Sequence, residues 1–372
     1  MTRSTYHLWF LATVAFALFG IVTFNALADR FILRHPEGHS LQTISGFERV
    51  IKPAWLNSIA PNVVFVGSSR VRYGFDPSLI DRSFAVHSFN YGFSSVSAYE
   101  TRRFVQDAAA QPSVKLIVLA LDPFSDENPA RRPGPGFDEL RLAVSADGAP
   151  TLHRSIWLNA TRYLSGGATG MHILGLEVLA QMRQGEAASD RPDLFGAYSV
   201  MTLDDFQKDL KYRNTRFMRL SPLGHQELLT TLRSVCNKPV RLIAFFPPDN
   251  AAVIARYEAN DSAGFFAFKA TVLNEVRRHN SVCKRNVSLF DFMQRNVITT
   301  SPFIGGQNAN YVDLVHFSPY VGVRLFRVMT APTRDGPDAV LGRDLATVDT
   351  GEPLALGLRG SSHMVGALGN TR

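Results

Sequence analysis

Asn62-Val63-Val64-Phe65-Val66-Gly67-Ser68-Ser69-Arg70 decides the fold. Four apolar residues, three of them β-branched, run between Pro61 and Gly67, and a continuous apolar run of that length reads as a strand buried on both faces. Such strands belong to parallel sheets. This one ends in Gly-Ser-Ser, which sets small hydroxyl residues at the carboxyl edge of the sheet, where open α/β folds bind their ligands. Taken alone, the stretch is equally a strand followed by an ordinary polar turn, since serines are common in turns.

Outward from it the pattern repeats. Apolar runs predict strands over Val63–Val66, Phe84–Phe89, Val114–Leu121, Val240–Phe246 and Val287–Phe292. Helical spacing is read between them over Ser97–Ala110, Leu223–Val235 and Ala251–His279, the last broken near Asp261–Gly264. Strands alternating with helices call for right-handed βαβ units. The expected architecture is α/β: a flavodoxin-like three-layer α/β/α fold with a parallel sheet of about five strands and an inserted helical region. The insertion is placed at 129–220. It opens on the breaker-rich Pro129–Gly136 and continues with helical patterns over Thr151–Leu164, Met171–Met182 and Asp204–Leu220. It reads either as a cap over the sheet edge or as extra scaffold.

At the N-terminus, residues 8–28 carry no charge, which is enough to span a bilayer as a helix. Arg3 ahead of this run places residues 1–7 in the cytoplasm and the body outside it, at an inner membrane facing the periplasm or another extracytoplasmic space. Ala26-Leu27-Ala28 also fits a cleaved signal. A connector over 29–61 follows, with a short helix near Ile51–Ile59, then the α/β domain over 62–331 and a tail over 332–372 expected to be disordered. The 372 residues are 45% hydrophobic and 19% charged, a globular balance, with a formal net charge of +7. Lys and Arg are scattered with no basic block interleaved with aromatics, which argues against nucleic acid and for a mild attraction to anionic envelope surfaces. The only cysteines, Cys236 and Cys283, lack CxxC spacing, so a zinc site is unsupported. Each precedes a predicted strand, and both a disulfide and two buried thiols fit.

A second polar cluster is Tyr311-Val312-Asp313-Leu314-Val315-His316-Phe317-Ser318-Pro319, with Ser318 as the cap of a following helix and Pro319 in its first turn. Asp313 three residues before His316 can hold the ring by Nδ1–H and leave Nε2 free to take a proton from a serine. A serine after the first strand and an Asp-x-x-His after the last resembles the SGNH (GDSL-type) hydrolase and acyltransferase superfamily. That resemblance implies Ser69 as nucleophile, His316 as base and Asp313 as its orienting partner. Phe89-Asn90-Tyr91-Gly92 stands where the family places an oxyanion-hole glycine, which offers the Gly92 N–H, with Asn90 beside it.

The family's third block carries an asparagine that donates to the oxyanion, but here Ala120-Leu121-Asp122-Pro123-Phe124 puts a carboxylate there. An ionised Asp122 would repel an oxyanion. Donors are then Ser69 and Gly92 alone, or with Arg70, or else Asp122 positions Arg70. Gly-Ser-Ser-Arg, Leu-Asp-Pro-Phe and His-Phe-Ser-Pro are similar to membrane-anchored envelope proteins of the superfamily, laid out like alginate O-acetyltransferases and the D-alanyl transfer protein of teichoic-acid modification. The resemblance implies an exported serine esterase or O-acetyltransferase, acting without a cofactor on acylated carbohydrate or exopolysaccharide. It would work beside a membrane-bound O-acyltransferase or polysaccharide synthesis machinery. The altered third block also fits a non-catalytic protein that binds polysaccharide or an assembly partner.

Overall fold

The computed structural model describes residues 3–34, 48–122, 133–134, 136–149, 151, 201–212, 220–283, 287–331, 341 and 344–346. Its centre is a five-stranded parallel sheet of β1 (Val63–Gly67), β2 (Ser88–Gly92), β3 (Leu116–Ala120), β5 (Arg241–Phe246) and β6 (Ser288–Asp291). The spatial order is β2-β1-β3-β5-β6. The chain leaves β1 in one direction to reach β2 and crosses back over it to β3, so the C-terminal ends of β1 and β3 flank a topological switch point. Val64, Phe65 and Val66 are fully buried, as a strand covered on both faces demands.

Helices in the connections between the parallel strands set the layers. On one face α5 (Ala98–Ala110) packs on α7 (Pro222–Val235), which in turn touches α8 (Ala251–Val282). On the other, α4 (Pro77–Phe84) packs on α9 (Pro319–Thr330). The fold is a three-layer α/β/α arrangement. Helix starts follow their caps: Ser97 and Glu100 form a reciprocal capping box on α5, and Ser221 accepts from the Gly224 N–H at α7. Within α8 the backbone breaks at Asp261 (φ −157°, ψ 72°), inside the interval where the pattern lapses.

Two expectations need correction. Phe84 lies in a helix, not in the second strand. Asp76 caps α4, Pro77 opens it, and Ala85 closes it in the left-handed conformation, which moves β2 to Ser88–Gly92. The segment expected to be disordered after 332 includes residues packed on the sheet. Leu341 is fully buried, Leu345 N–H donates to Leu289 O (2.8 Å), and Asp344 Oδ1 accepts from Leu289 N–H (3.0 Å). The edge strand β6 has backbone groups that need partners, and these residues supply them. The rest of 332–372 lies outside the described residues.

Of the insertion, 129–132, 135, 150, 152–200 and 213–219 lie outside the described residues, and with them most of the expected helices. Its exit is described: β4 (Met201–Thr202) pairs antiparallel with β7 (Gln307–Asn308), followed by α6 (Leu203–Tyr212). Met201 N–H also donates to Tyr311 O (3.0 Å), so the end of the insertion is fastened to the segment that carries Asp313 and His316.

At the N-terminus, α1 (Arg3–Arg34) contains a 23-residue stretch, Thr5–Leu27, of mean hydropathy 2.1, long and apolar enough to cross a membrane. Trp9, Phe16 and Phe19 on it are largely exposed, a surface water does not favour. The connector helix α2 (Glu48–Ile59) instead buries Ile51, Trp55 and Leu56 in the core.

Cys236 and Cys283 form a disulfide with Cα atoms 5.2 Å apart. They occupy the C-caps of α7 and α8, just ahead of the adjacent strands β5 and β6. The bond closes a loop with a sequence separation of 47. Chain-entropy reasoning assigns a loop of that size about 4 kcal/mol at most. The Cys236→Ser, Cys283→Ser double variant is expected to lose roughly 2–4 kcal/mol in urea unfolding, and reductant should weaken the wild type alone.

Candidate active site

At the end of β1, Ser68 takes an extended backbone (φ −78°, ψ −165°) and its Oγ accepts from the Arg70 N–H (3.2 Å), capping the short helix α3 (Ser69–Gly74). Ser69 is thus the first residue of a helix, where a backbone N–H has no acceptor within the helix. Across from it, the segment from Asn310 to Ser318 folds back on itself. Tyr311 bridges Phe317, Val312 N–H donates to His316 O (2.8 Å), and Ser318 N–H donates to Asn310 O (2.9 Å). Ser318 does occupy the N-cap of α9 with Pro319 in the first turn, although its side chain makes no capping bond.

This fold-back brings together the two sequence clusters that lie 247 residues apart. His316 Nε2 lies 2.8 Å from Ser69 Oγ, and His316 Nδ1 lies 2.6 Å from Asp313 Oδ2. Asp313 Oδ1 also accepts the N–H groups of Val315 (2.9 Å) and His316 (3.0 Å). Burial alone would raise the Asp313 carboxyl, but the His316 ring and these N–H donors outweigh it and bring the group down to about 2. It is therefore anionic at neutral pH and takes a proton-bearing Nδ1 as its donor, which leaves Nε2 to accept from the Ser69 hydroxyl. The Tyr73 ring lies against the imidazole, with centroids 4.8 Å apart. The side chains of His316 and Asp313 keep 16% and 30% of their surface exposed, so the group is open to a solute.

Two glycines set the spacing. A Cβ on Gly322 of α9 would stand 1.8 Å from Gly74 O, and one on Gly74 would stand 2.0 Å from the Phe317 ring. Backbone touches backbone where the end of α3 meets α9, immediately beside Ser69 and His316.

Arg70 is not an oxyanion donor in this arrangement. Its side chain is buried and its nitrogens face carboxylates: Nε and Nη2 donate to Asp249 (2.7–3.0 Å), and Nη1 donates to Asp122 Oδ1. Tyr257 donates its hydroxyl to Asp249 Oδ2 (2.9 Å). Burial by itself would lower Arg70, but the charges of Asp249 and then Asp122 hold it above its ordinary value, so it stays a cation. Asp122 is thereby fixed as a partner of Arg70, the structural one of its two expected roles.

Gly92 and Asn90 also sit differently from expectation. Gly92 N–H donates to Asn90 Oδ1 (3.0 Å), which occupies the donor expected at an oxyanion. Asn90 Nδ2 in turn ties the carbonyls of Val71 (2.8 Å) and Phe75 (2.6 Å), so Asn90 braces α3. Gly92 is needed because a Cβ there would lie 2.5 Å from the Arg72 nitrogen. Its carbonyl accepts from buried Lys52 of α2, an ammonium that burial brings down to about 7. Arg49 of α2 donates to Glu100 (2.6 Å) and to Ser94 O (2.9 Å), holding the loop after β2.

Sequence reasoning missed Asp249 and Tyr257 as partners of Arg70, Tyr73 against the imidazole, and Lys52 behind Gly92. Only Asp249 left a readable signal, as a carboxylate ending a strand on the Ser69 edge. Among the described residues, Cys236, His279 and Cys283 could group around a metal ion, but the two sulfurs are bonded to each other.

No family model matches the sequence, and no curated protein matches it. Among solved structures, a chain described as a "putative platelet activating factor from Streptococcus pneumonia" aligns over 77% of this chain and 92% of its own, at 12% identity and a TM-score of 0.34. A likeness of that degree carries no weight for function, which rests on the site itself.

Two substitutions test the scaffold. Gly322→Ala should push α9 off α3 and cost about 1–3 kcal/mol in urea unfolding, while the sheet remains folded by circular dichroism. Arg70→Met should cost about 3–5 kcal/mol by leaving buried carboxylates uncompensated. The same change combined with Asp122→Asn and Asp249→Asn should recover most of that loss.

Proposed function

We propose that this chain is an exported, membrane-anchored serine acyl-ester hydrolase or O-acetyltransferase of the SGNH type, acting on cell-envelope carbohydrate. One observation carries the reading: the continuous hydrogen-bonded chain from Ser69 through His316 to Asp313. Ser69 Oγ attacks the carbonyl carbon of an acetyl ester while its proton passes to His316 Nε2. The tetrahedral intermediate collapses, the C–O bond to the leaving alcohol breaks, and that oxygen takes the proton from His316. Water or a sugar hydroxyl then attacks the acyl-Ser69 carbonyl, with His316 again as base, and regenerates the serine. Asp313 holds the ring and stabilises the imidazolium. The Ser69 N–H, without a helical acceptor, is the donor best placed for the oxyanion.

Export is supported by the apolar N-terminal helix together with the Cys236–Cys283 disulfide, which suits an oxidising compartment such as the periplasm. The carbohydrate substrate, and a membrane-bound O-acyltransferase as the source of the acyl group, rest on the resemblance of the sequence blocks. The net charge of +7 suits an anionic polymer.

A second reading has its own observation. Asp122 is committed to Arg70 and the Gly92 N–H to Asn90, so two of the family's three oxyanion donors are missing, as in a protein that keeps the fold only to bind polysaccharide. Labelling separates the two. A fluorophosphonate probe should modify the wild type and not Ser69→Ala, and Asp313→Asn should cut aryl-acetate turnover by about 10²–10⁴. Absence of both label and turnover, in protein shown to be folded, would leave the binder.

A further inference from the structure

A cleft of about 330 Å³ opens between α5 and α7, away from the nucleophile. Lys238 on its wall stands just ahead of Arg241, where β5 begins, so the cleft lies toward the amino edge of the sheet and Ser69 at the carboxyl edge. Its volume is at the lower end of the roughly 300–1,000 Å³ usual for small-molecule sites. Gln106 of α5 forms one wall, Thr230, Arg233 and Ser234 of α7 a second, and the turn carrying Asp147 and Gly148 a third. Gln106 is held in one orientation. It keeps only 7% of its surface exposed, and its Oε1 accepts from Arg102 (3.1 Å) and Arg103 (2.5 Å), which turns Nε2 the other way. Nε2 has no hydrogen-bond partner among the described residues and lies beside Gly148, where a Cβ would stand 4.0 Å from it. The same two arginines fix the facing turn: Arg103 donates to Val144 O (2.7 Å) and Ser145 O (2.9 Å), and Arg102 to Ala146 O (3.3 Å).

The donors and acceptors left over select the occupant. Arg102 and Arg103 are matched by Glu227 and Glu139, so the charges facing the cleft are Arg233 and Lys238 against the single carboxylate of Asp147. That balance of one positive unit suits a monoanion. Thr230 Oγ1 donates to Gln226 O (2.8 Å) and Ser234 Oγ to Thr231 O (2.6 Å), so each hydroxyl spends its proton within α7 and can only accept from a ligand. Arg233, Lys238 and Gln106 Nε2 can only donate. A compact anion such as phosphate answers the donors but leaves the two hydroxyl acceptors poorly used and meets Asp147. We propose that the cleft is a second carbohydrate site, for an acidic sugar whose carboxylate meets Arg233, Lys238 and Gln106 Nε2 while its ring hydroxyls donate to Thr230 and Ser234. That the sugar belongs to an envelope polymer rests on the reading above; the site itself does not need Ser69 to be reactive.

The test uses the full-length chain in detergent and a fluorescein-labelled glucuronate tetrasaccharide read by polarisation at low ionic strength, with free glucuronate, glucose and inorganic phosphate as competitors. Arg233→Gln combined with Lys238→Gln should weaken the Kd of the probe about tenfold. Gln106→Glu keeps the acceptor that both arginines need and replaces the donor by a second acceptor, and it should weaken the Kd by a similar factor, about tenfold. Glucuronate should displace the probe at concentrations about tenfold below those required of glucose or phosphate. If Gln106→Glu does not fold, the double variant, at two exposed positions, carries the measurement. A Kd unchanged in the folded variants, or phosphate displacing the probe as readily as glucuronate, would overturn the site. Fluorophosphonate labelling of Ser69, run on the same samples, should be the same in the wild type and the variants. No label in any of them, with the losses in Kd intact, would remove the acyl-transfer reading and leave this site standing.

Discussion

The Arg70 guanidinium ties together the ends of three strands, and the rest of the site depends on that. Arg70 follows β1, Asp122 follows β3 and Asp249 follows β5, so one buried cation spans the switch point where a parallel sheet opens to its ligands. Burial pushes Asp249 up, while Arg70 and the Tyr257 hydroxyl pull the other way. Such a cluster gains little stability over an apolar core of the same shape, yet removing one member is costly. Its value lies in position. Arg70 is the residue after Ser69, and with its side chain fixed at both ends the backbone that carries Ser69 has one place to be.

The other half of the site is placed by absence of bulk. His316 reaches Ser69 because α9 and α3 approach until the Gly322 Cα faces the Gly74 carbonyl, a contact that any side chain at 322 would prevent. The strongly bent segment between Asn310 and Ser318 supplies the remaining geometry through its own backbone bonds and through Asp313, whose two oxygens accept from two backbone N–H groups and the imidazole. Scaffolding of this sort on both sides of Ser69 and His316 holds their hydrogen bond in one geometry.

The sheet was legible because β1 and β3 are continuous apolar runs, β5 is one after Arg241, and β6 sits within the largely apolar run Val287–Phe292. The second strand was misplaced because Phe84 and Val86 look like strand residues, while Asp76-Pro77, the helix start that should have overruled them, stands eight residues earlier. That Ser69, Asp313 and His316 would meet was legible through their order along the chain. The roles of Gly92, Asn90 and Arg70 were not, because each depends on what a strand end meets across space. No local pattern says that Asp249 will face Arg70, or that a glycine inside α9 is there for a neighbouring carbonyl. The disulfide was readable only as a conditional, since it required β5 and β6 to be neighbours.

The connector helix α2 shows why a boundary drawn from composition at residue 61 cuts too late. Its apolar face belongs to the core, and its charged residues reach the backbone around the site. Glu48 pairs with buried Arg72 of α3, Lys52 holds the Gly92 carbonyl, and Arg49 holds the loop after β2 through Ser94 and Glu100. A lysine kept in such a place, with its ammonium brought down to about 7, is tolerated only where a specific acceptor needs it. Helix α2 is thus part of the support for the backbone around Ser69.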